Sequence, residues 1–223
     1  MTGLPFSLVG FDLDGTLLDT AADLGAAVNH ALGLAGRPPV PPEDVGRLIG
    51  GGSRLMLERA FAASGGIGAS ELAELYAELL RFYESNIAVH TRLYPGGEAM
   101  LDALQARGCT LAVVTNKLEA LAVKLLAELD LLPRFATVIG GDTLGLGRAK
   151  PARDPIDEML LRCGSEHSAV FVGDTSYDVL AARAAGLPVV AVTFGFSDRP
   201  AGELGADAVI DHFDQLVPAL ERL

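Results

Sequence analysis

Cysteine is nearly absent: Cys109 and Cys163 are the only two in 223 residues. They show no metal-ligand spacing and fall on stretches expected to be buried, so ordinary thiols in a reducing compartment are expected, not a disulfide framework. Positive charge is also scarce, with 17 Lys and Arg against 29 Asp and Glu and a net charge of −12. Phosphate backbones and anionic membranes need positive charge, which argues against nucleic-acid and membrane partners. An anionic substrate has to be met by local cations. No window approaches the roughly 18 apolar residues of a spanning helix, and Met1 to Leu8 lacks a basic segment followed by a long apolar run. Cytoplasmic residence is the expectation, as a monomer or homodimer. The four histidines, His30, His90, His167 and His212, show no ligand spacing and read as surface or hinge residues.

What the chain does have is apolar content, 50%, enough for one sizeable core or a core with a smaller appended unit. Short, nearly continuous apolar runs at 7–11, 110–114, 136–140, 169–172 and 188–193 have the character of strands buried on both faces. Helical patterns lie between them. Leu118, Leu121, Ala122, Leu125, Leu126 and Leu129 keep the spacing of one helix face, and a helix near 176–185 ends at Gly186 with Pro188 beyond it. Strand and helix in alternation predict an α/β fold with a doubly wound parallel sheet.

Residues 20 to about 90 break the alternation. They contain no convincing strand and at least three helical patterns, including Ala21, Leu24, Val28, Ala31 and Leu32, and Leu72, Leu75, Tyr76, Leu79, Leu80 and Tyr83. An inserted all-helical cap over 19–92 is expected, hinged around 17–20 and 90–95, on a core formed by 1–18 and 93–223. Turns are expected at 36–42 and 65–68. Asp19 and Thr20 are expected to cap the first cap helix.

Ligands of an open α/β sheet bind outside the carboxyl ends of the strands. Those ends carry Asp12 and Asp14, then Thr115-Asn116-Lys117, then Gly173-Asp174-Thr175-Ser176-Tyr177-Asp178, with Lys150-Pro151 between the last two. Alternation along the first strand throws both Asp12 and Asp14 to one side while Leu13 turns inward, and Gly15 permits a sharp turn beyond them. Four converging carboxylates demand a cation, and oxygen-only ligands suit Mg²⁺. With Lys150 it would neutralise a substrate phosphate, while Thr115 Oγ, the Asn116 N–H and the Thr16 region donate to the transferring oxygens. Attack by a carboxylate would split hydrolysis into formation and breakdown of an aspartyl phosphate, with the second acid serving leaving group and water.

These residues give the chain its resemblance, over essentially its whole length, to the haloacid dehalogenase superfamily of phosphotransferases. Asp12-Leu13-Asp14-Gly15-Thr16 matches the first motif, Thr115 the second, Lys150 the third, and Gly173-Asp174 with Asp178 the fourth. The resemblance implies Asp12 as nucleophile, Asp14 as general acid/base, and Thr115 and Lys150 as phosphate stabilisers. It implies a Mg²⁺ held by Asp12, the Asp14 main-chain carbonyl and Asp174, with Asp178 nearby, and a small helical cap after the first motif. Ile49-Gly50-Gly51-Gly52, Tyr94-Pro95-Gly96, Ala112 through Lys117 and Gly205-Ala206-Asp207 resemble most the phosphoglycolate phosphatases and their near relatives.

In the cap, Gly50, Gly51 and Gly52 precede a helix whose first-turn N–H groups suit an anion. Arg54, or Arg47, is expected to meet the carboxylate of a small phosphorylated acid. The leading expectation is a Mg²⁺-dependent phosphomonoesterase acting on 2-phosphoglycolate. A sugar-phosphate mutase or broad phosphatase shares the scaffold, depending on whether the cap admits water. A phospho-aspartate signalling module uses similar residues but lacks Asp-x-Asp-Gly-Thr and a helical lid.

Overall fold

The apolar runs pair into one six-stranded sheet in a computed structural model that describes residues 4–164 and 168–223; His167 lies outside them. In chain order, β1 is Leu8–Phe11, and a two-residue strand β2, Leu18–Asp19, precedes helices α1 Ala21–Leu34, α2 Pro42–Val45, α3 Ser53–Ala63 and α4 Ala69–Ser85. β3 Arg92–Leu93 and α5 Gly97–Gln105 lead into β4 Thr110–Val114, α6 Glu119–Glu128, β5 Thr137–Ile139 and α7 Asp154–Cys163. β6 Ala169–Gly173, α8 Ser176–Ala184, β7 Val189–Val192, β8 Ala208–Ile210 and α9 Leu216–Leu220 complete the order.

The sheet order is β5-β4-β1-β6-β7-β8, and every pairing in it is parallel. Because the pleat alternates, a continuous apolar strand supplies two cores at once. Val9, Phe11, Val113, Val172 and Val190 face one side, with Leu101 and Leu104 of α5 packed there. Leu8, Val114, Phe171 and Val189 face the other, against Ile156 and Met159 of α7 and Val179 of α8. β1 is central, with β4 on one side and β6 on the other. The chain therefore changes direction across the sheet at β1, and the carboxyl end of β1 is where a crevice opens.

The stretch expected to be helical is helical, with α1 packed along α4 and α3 against both. Both of its joins, expected as hinges, run through the antiparallel pair of β2 and β3, Leu18 opposite Leu93. Asp23, buried in α1, accepts main-chain hydrogen bonds from His90 and Thr91 and one from the Thr91 hydroxyl, which ties the exit of the helical segment to its entrance. Thr20 does not cap α1 as expected: its hydroxyl is buried without a hydrogen-bond partner among the described residues, and only Asp19 Oδ1 accepts, from Ala21 N at 3.3 Å. The strand β8 was not anticipated, since three residues at a half-exposed sheet edge carry no clear pattern.

Candidate active site

Asp12 directly follows β1, and its N–H donates to Val172 O at 2.9 Å, so the β1–β6 pairing carries it one residue past the strand. Its Oδ1 accepts from Leu13 N at 2.7 Å and pairs with Lys150 Nζ at 2.9 Å. Among the described residues Oδ2 has no hydrogen-bond partner. Lys150 Nζ also donates to Asp178 Oδ1 at 2.6 Å and to Val114 O at 2.8 Å. Asp174 accepts from the Thr16 hydroxyl and from Phe196 N, each at 2.7 Å. Gly15 makes the turn that lets these groups meet: its φ is +87°, and a Cβ there would stand 2.4 Å from Asp174 Oδ2.

Carboxylate oxygens of Asp12, Asp174 and Asp178 lie within 4.8 Å of one another, all buried. Three carboxylates beside one ammonium leave two negative charges uncompensated, which a hard divalent cation with oxygen ligands would balance. The proton affinities agree. Burial pushes the Asp12 carboxyl up to about 7, with Lys150 opposing the rise and Asp178 adding to it. Burial, then Asp178 and Asp12, push Asp174 well above the usual carboxylate range. Lys150 is held above its ordinary value, because Asp12 and Asp178 outweigh the effect of burial. These residues fit a divalent ion, with Asp12 and Asp174 as the available carboxylates. Asp178 differs from the other two. Its Oδ2 accepts from Asp174 N, Thr175 N and the Thr175 hydroxyl while Oδ1 takes Lys150, four donors against one on each oxygen of Asp174, and it closes a capping box on α8.

The helical segment lies over this site. Ile49, Gly50, Gly52 and Met56 with Leu79 and Tyr83 of α4 close over Asp12, Asp14, Thr115 and Lys117, and leave about 30 Å³ of free space. Asn116 links the two parts, its Nδ2 donating to Gly50 O at 3.0 Å and Lys150 O at 3.1 Å. Thr115 Oγ1 accepts from Lys117 N at 3.2 Å, which leaves its own O–H to donate. Gly52 caps α3 at φ +89°, and a Cβ there would stand 3.1 Å from Asn116 O.

Asp14 faces the same pocket as Asp12, as the alternation implied, but it is not alone there. Lys117 Nζ donates to both of its oxygens, at 2.8 and 2.9 Å, in a nearly buried pair. The ammonium lies 4.7 Å from the centre of the Tyr83 ring. Burial alone would lower the Lys117 proton affinity, but Asp14 and Tyr83 outweigh it and hold the ammonium charged. Burial pushes the Tyr83 hydroxyl up to about 12, with the nearby Lys117 charge opposing the rise. Lys117 and Tyr83 were missed as site residues. Only the position of Lys117 directly after Thr115-Asn116 hinted at it.

Four of the residues expected to meet substrate stand outside the pocket over Asp12. The Thr16 hydroxyl is fully buried and given to Asp174, so Thr16 orients that carboxylate and does not reach the pocket. Gly51 lines an adjoining cleft with Arg54, Tyr76, Asn116 and Lys150. Arg54 is half exposed, paired with Glu58 at 3.2 Å and resting over the Tyr76 ring. Arg47 points outward to Asp44 and is 83% exposed. A partner within one helical turn captured each arginine. Of the histidines, His30 stacks on Phe82, His90 is held through its main chain and His212 sits at the surface against Asp214.

The comparisons agree with this geometry. A family model described as haloacid dehalogenase-like hydrolase matches residues 9–192. A phosphoglycolate phosphatase of Agrobacterium fabrum is 44% identical over 99% of this chain and 95% of its own. One of Caulobacter vibrioides is 41% identical over 92% of this chain and 86% of its own. The crystal structure of a predicted phosphoglycolate phosphatase from Haemophilus somnus superposes with a TM-score of 0.90 at 31% identity, covering 98% of each chain. With its motifs on the carboxyl ends of β1, β4 and β6 and a family model spanning most of its length, the chain belongs to the haloacid dehalogenase-like hydrolases.

Proposed function

We propose that the protein is a Mg²⁺-dependent phosphomonoesterase that hydrolyses 2-phosphoglycolate to glycolate and phosphate through an aspartyl phosphate on Asp12. The observation that carries this reading is Asp12 itself, a buried carboxylate with one oxygen held by Leu13 N and Lys150 and the other unpartnered, beside Asp174 and beneath a closed helical cover. Relatives named phosphoglycolate phosphatase over nearly the whole chain support the choice of substrate.

In this reading Asp12 Oδ2 attacks the phosphorus, and the developing charge on the transferring oxygens meets Lys150 Nζ, the Thr115 hydroxyl and the Asn116 N–H. Asp14 gives a proton to the leaving alkoxide and then takes one from the water that cleaves the aspartyl phosphate. Mg²⁺ would be held by Asp12, Asp174 and the Asp14 main-chain carbonyl, and when bound it supplies charge neutralisation between anionic nucleophile and anionic ester. Asp178 acts through Lys150 and the loop it caps. Residues 19–92 serve as a cap pivoting on β2 and β3, and with so little free space they have to open for an ester to enter. A cytoplasmic setting belongs to this reading; among the described residues no helix is long and apolar enough to cross a membrane.

Phosphate release from 2-phosphoglycolate by the purified protein with Mg²⁺ tests the proposal. Release is expected, and its absence from this ester and from a panel of small phosphate esters would overturn the phosphatase reading. Conversion of a hexose phosphate to its isomer without release would make the protein a mutase.

Metal binding should depend on pH in a stated direction. Between pH 3.8 and about 7 the folded chain holds a proton on Asp12 that the unfolded chain has released, so metal-free stability falls as pH rises across that window. Protons and Mg²⁺ compete for the same oxygens, so Mg²⁺ should raise the melting temperature more at about pH 8 than at about pH 5.5. Thermal melts with and without the ion at both pH values check this; an equal gain at both would contradict it.

A further inference from the structure

Neither arginine expected to meet the substrate lines the pocket over Asp12, which leaves that pocket with one cationic side chain among the described residues. That side chain is Lys117. Its backbone is fixed at both ends: Lys117 N donates to Thr115 Oγ1 and Gly141 N donates to Lys117 O at 2.8 Å. The four-carbon arm beyond has rotatable bonds, and its ammonium, now given to Asp14, is a point charge with three donors. The wall opposite is apolar, formed by Leu24, Ile49, Met56, Leu79 and Leu121. Ser53 Oγ, the nearest hydroxyl from α3, is already bonded to Tyr76 at 3.0 Å.

We propose that Lys117 is the specificity-determining cation of this site: its ammonium, clamped on Asp14 here, passes to the carboxylate of a short phosphorylated hydroxy acid and so releases Asp14 toward the ester oxygen. This rests on the phosphatase reading and deepens it, because it names the chemical feature that the substrate must carry. A buried ammonium cannot give up its only full counter-charge without a replacement. An incoming carboxylate is such a replacement, in the same low-dielectric surroundings and with the same two oxygens. An ester ending in a methyl group brings none, and leaves Asp14 clamped. The substrate carboxylate therefore acts on turnover as well as on binding, since it displaces the group that has to reach the leaving oxygen.

The two substrates that isolate the effect are 2-phosphoglycolate and ethyl phosphate, which differ by a carboxylate in place of a methyl group. In Lys117→Met the ratio of their kcat/KM values is expected to fall about 10²-fold from the wild-type ratio, with KM for 2-phosphoglycolate rising and kcat for ethyl phosphate, which then meets an unclamped Asp14, not falling. Lys117→Arg should recover most of the ratio. If Lys117→Met lowers both substrates by one common factor, or leaves the ratio unmoved, Lys117 serves only the fold or Asp14 and the proposal fails. Wild-type failure on every ester would instead sink the phosphatase reading, so the two failures are distinguishable.

A second measurement needs neither turnover nor a folded Lys117→Met. Asp14→Asn removes the charge that clamps Lys117, so calorimetric titration with glycolate should show binding about 10-fold tighter than to wild type. Equal or weaker glycolate binding by a folded Asp14→Asn overturns the exchange.

Discussion

Asp12→Asn is expected to lower kcat for phosphate-ester hydrolysis by about 10⁴-fold, the scale on which enzymes lose rate when a nucleophile is removed and only binding and electrostatics remain. The amide keeps the shape of the carboxylate, and its oxygen still accepts from Leu13 N. What it lacks is an anionic oxygen able to form the bond to phosphorus. Stability should move the other way. The Asp12 carboxyl is pushed up to about 7 by burial, with Asp178 adding to the rise, so its ionised form is a burden on the metal-free fold above that pH. Metal-free Asp12→Asn should therefore melt at or above the wild-type temperature near pH 8, and close to it near pH 5, where wild-type Asp12 already carries a proton. Phosphate-release assays and paired melts measure both. A variant that kept more than about a tenth of wild-type kcat would remove Asp12 from the chemistry.

The pair Asp12 and Asp14 was legible because its placement needs only the pleat of a strand and a glycine after it. Five of the six sheet strands were legible for a related reason: a sheet covered on both faces writes an unbroken apolar run. α1, α4 and α6 announced themselves by period. Lys117 did not, because its importance depends on Tyr83 of α4 being packed over it, and no local pattern says which residue of a distant helix descends onto a turn. Thr16 was misread for a similar reason, since the acceptor that takes its hydroxyl is Asp174, 158 residues away. The two arginines are different. Glu58 stands four residues after Arg54 and Asp44 three before Arg47, spacings at which side chains on one helical turn meet, so the competing partners were visible in the sequence. A long-range role for a helical arginine has to be weighed against its neighbours one turn away. β2 and β3 escaped notice because two residues cannot show an alternation, although both joins of the helical segment fall where they were expected.

Asp178→Ala should be the most damaging substitution to stability at this site, by about 4 kcal/mol, through a mechanism separate from metal binding. Asp178 is fully buried and accepts from two main-chain N–H groups and the Thr175 hydroxyl on one oxygen, and from Lys150 on the other. Alanine leaves those loop donors buried without acceptors and breaks the capping box at the start of α8. It also leaves Lys150 with Asp12 as its one carboxylate. The urea midpoint should drop accordingly, with the denaturant slope unchanged. Asp178→Asn separates the contributions: the amide oxygen can still serve the loop, but its NH₂ faces the ammonium of Lys150, so activity should fall even where much of the stability returns. Magnesium affinity discriminates between the two roles open to this carboxylate. If Asp178 works only through Lys150 and the loop, as the four donors it accepts against two on Asp174 favour, folded Asp178→Asn should bind Mg²⁺ within a few-fold of wild type, whereas Asp174→Asn should lose most of that affinity. Equal losses in the two variants would place Asp178 on the metal and reverse the division of labour between these carboxylates.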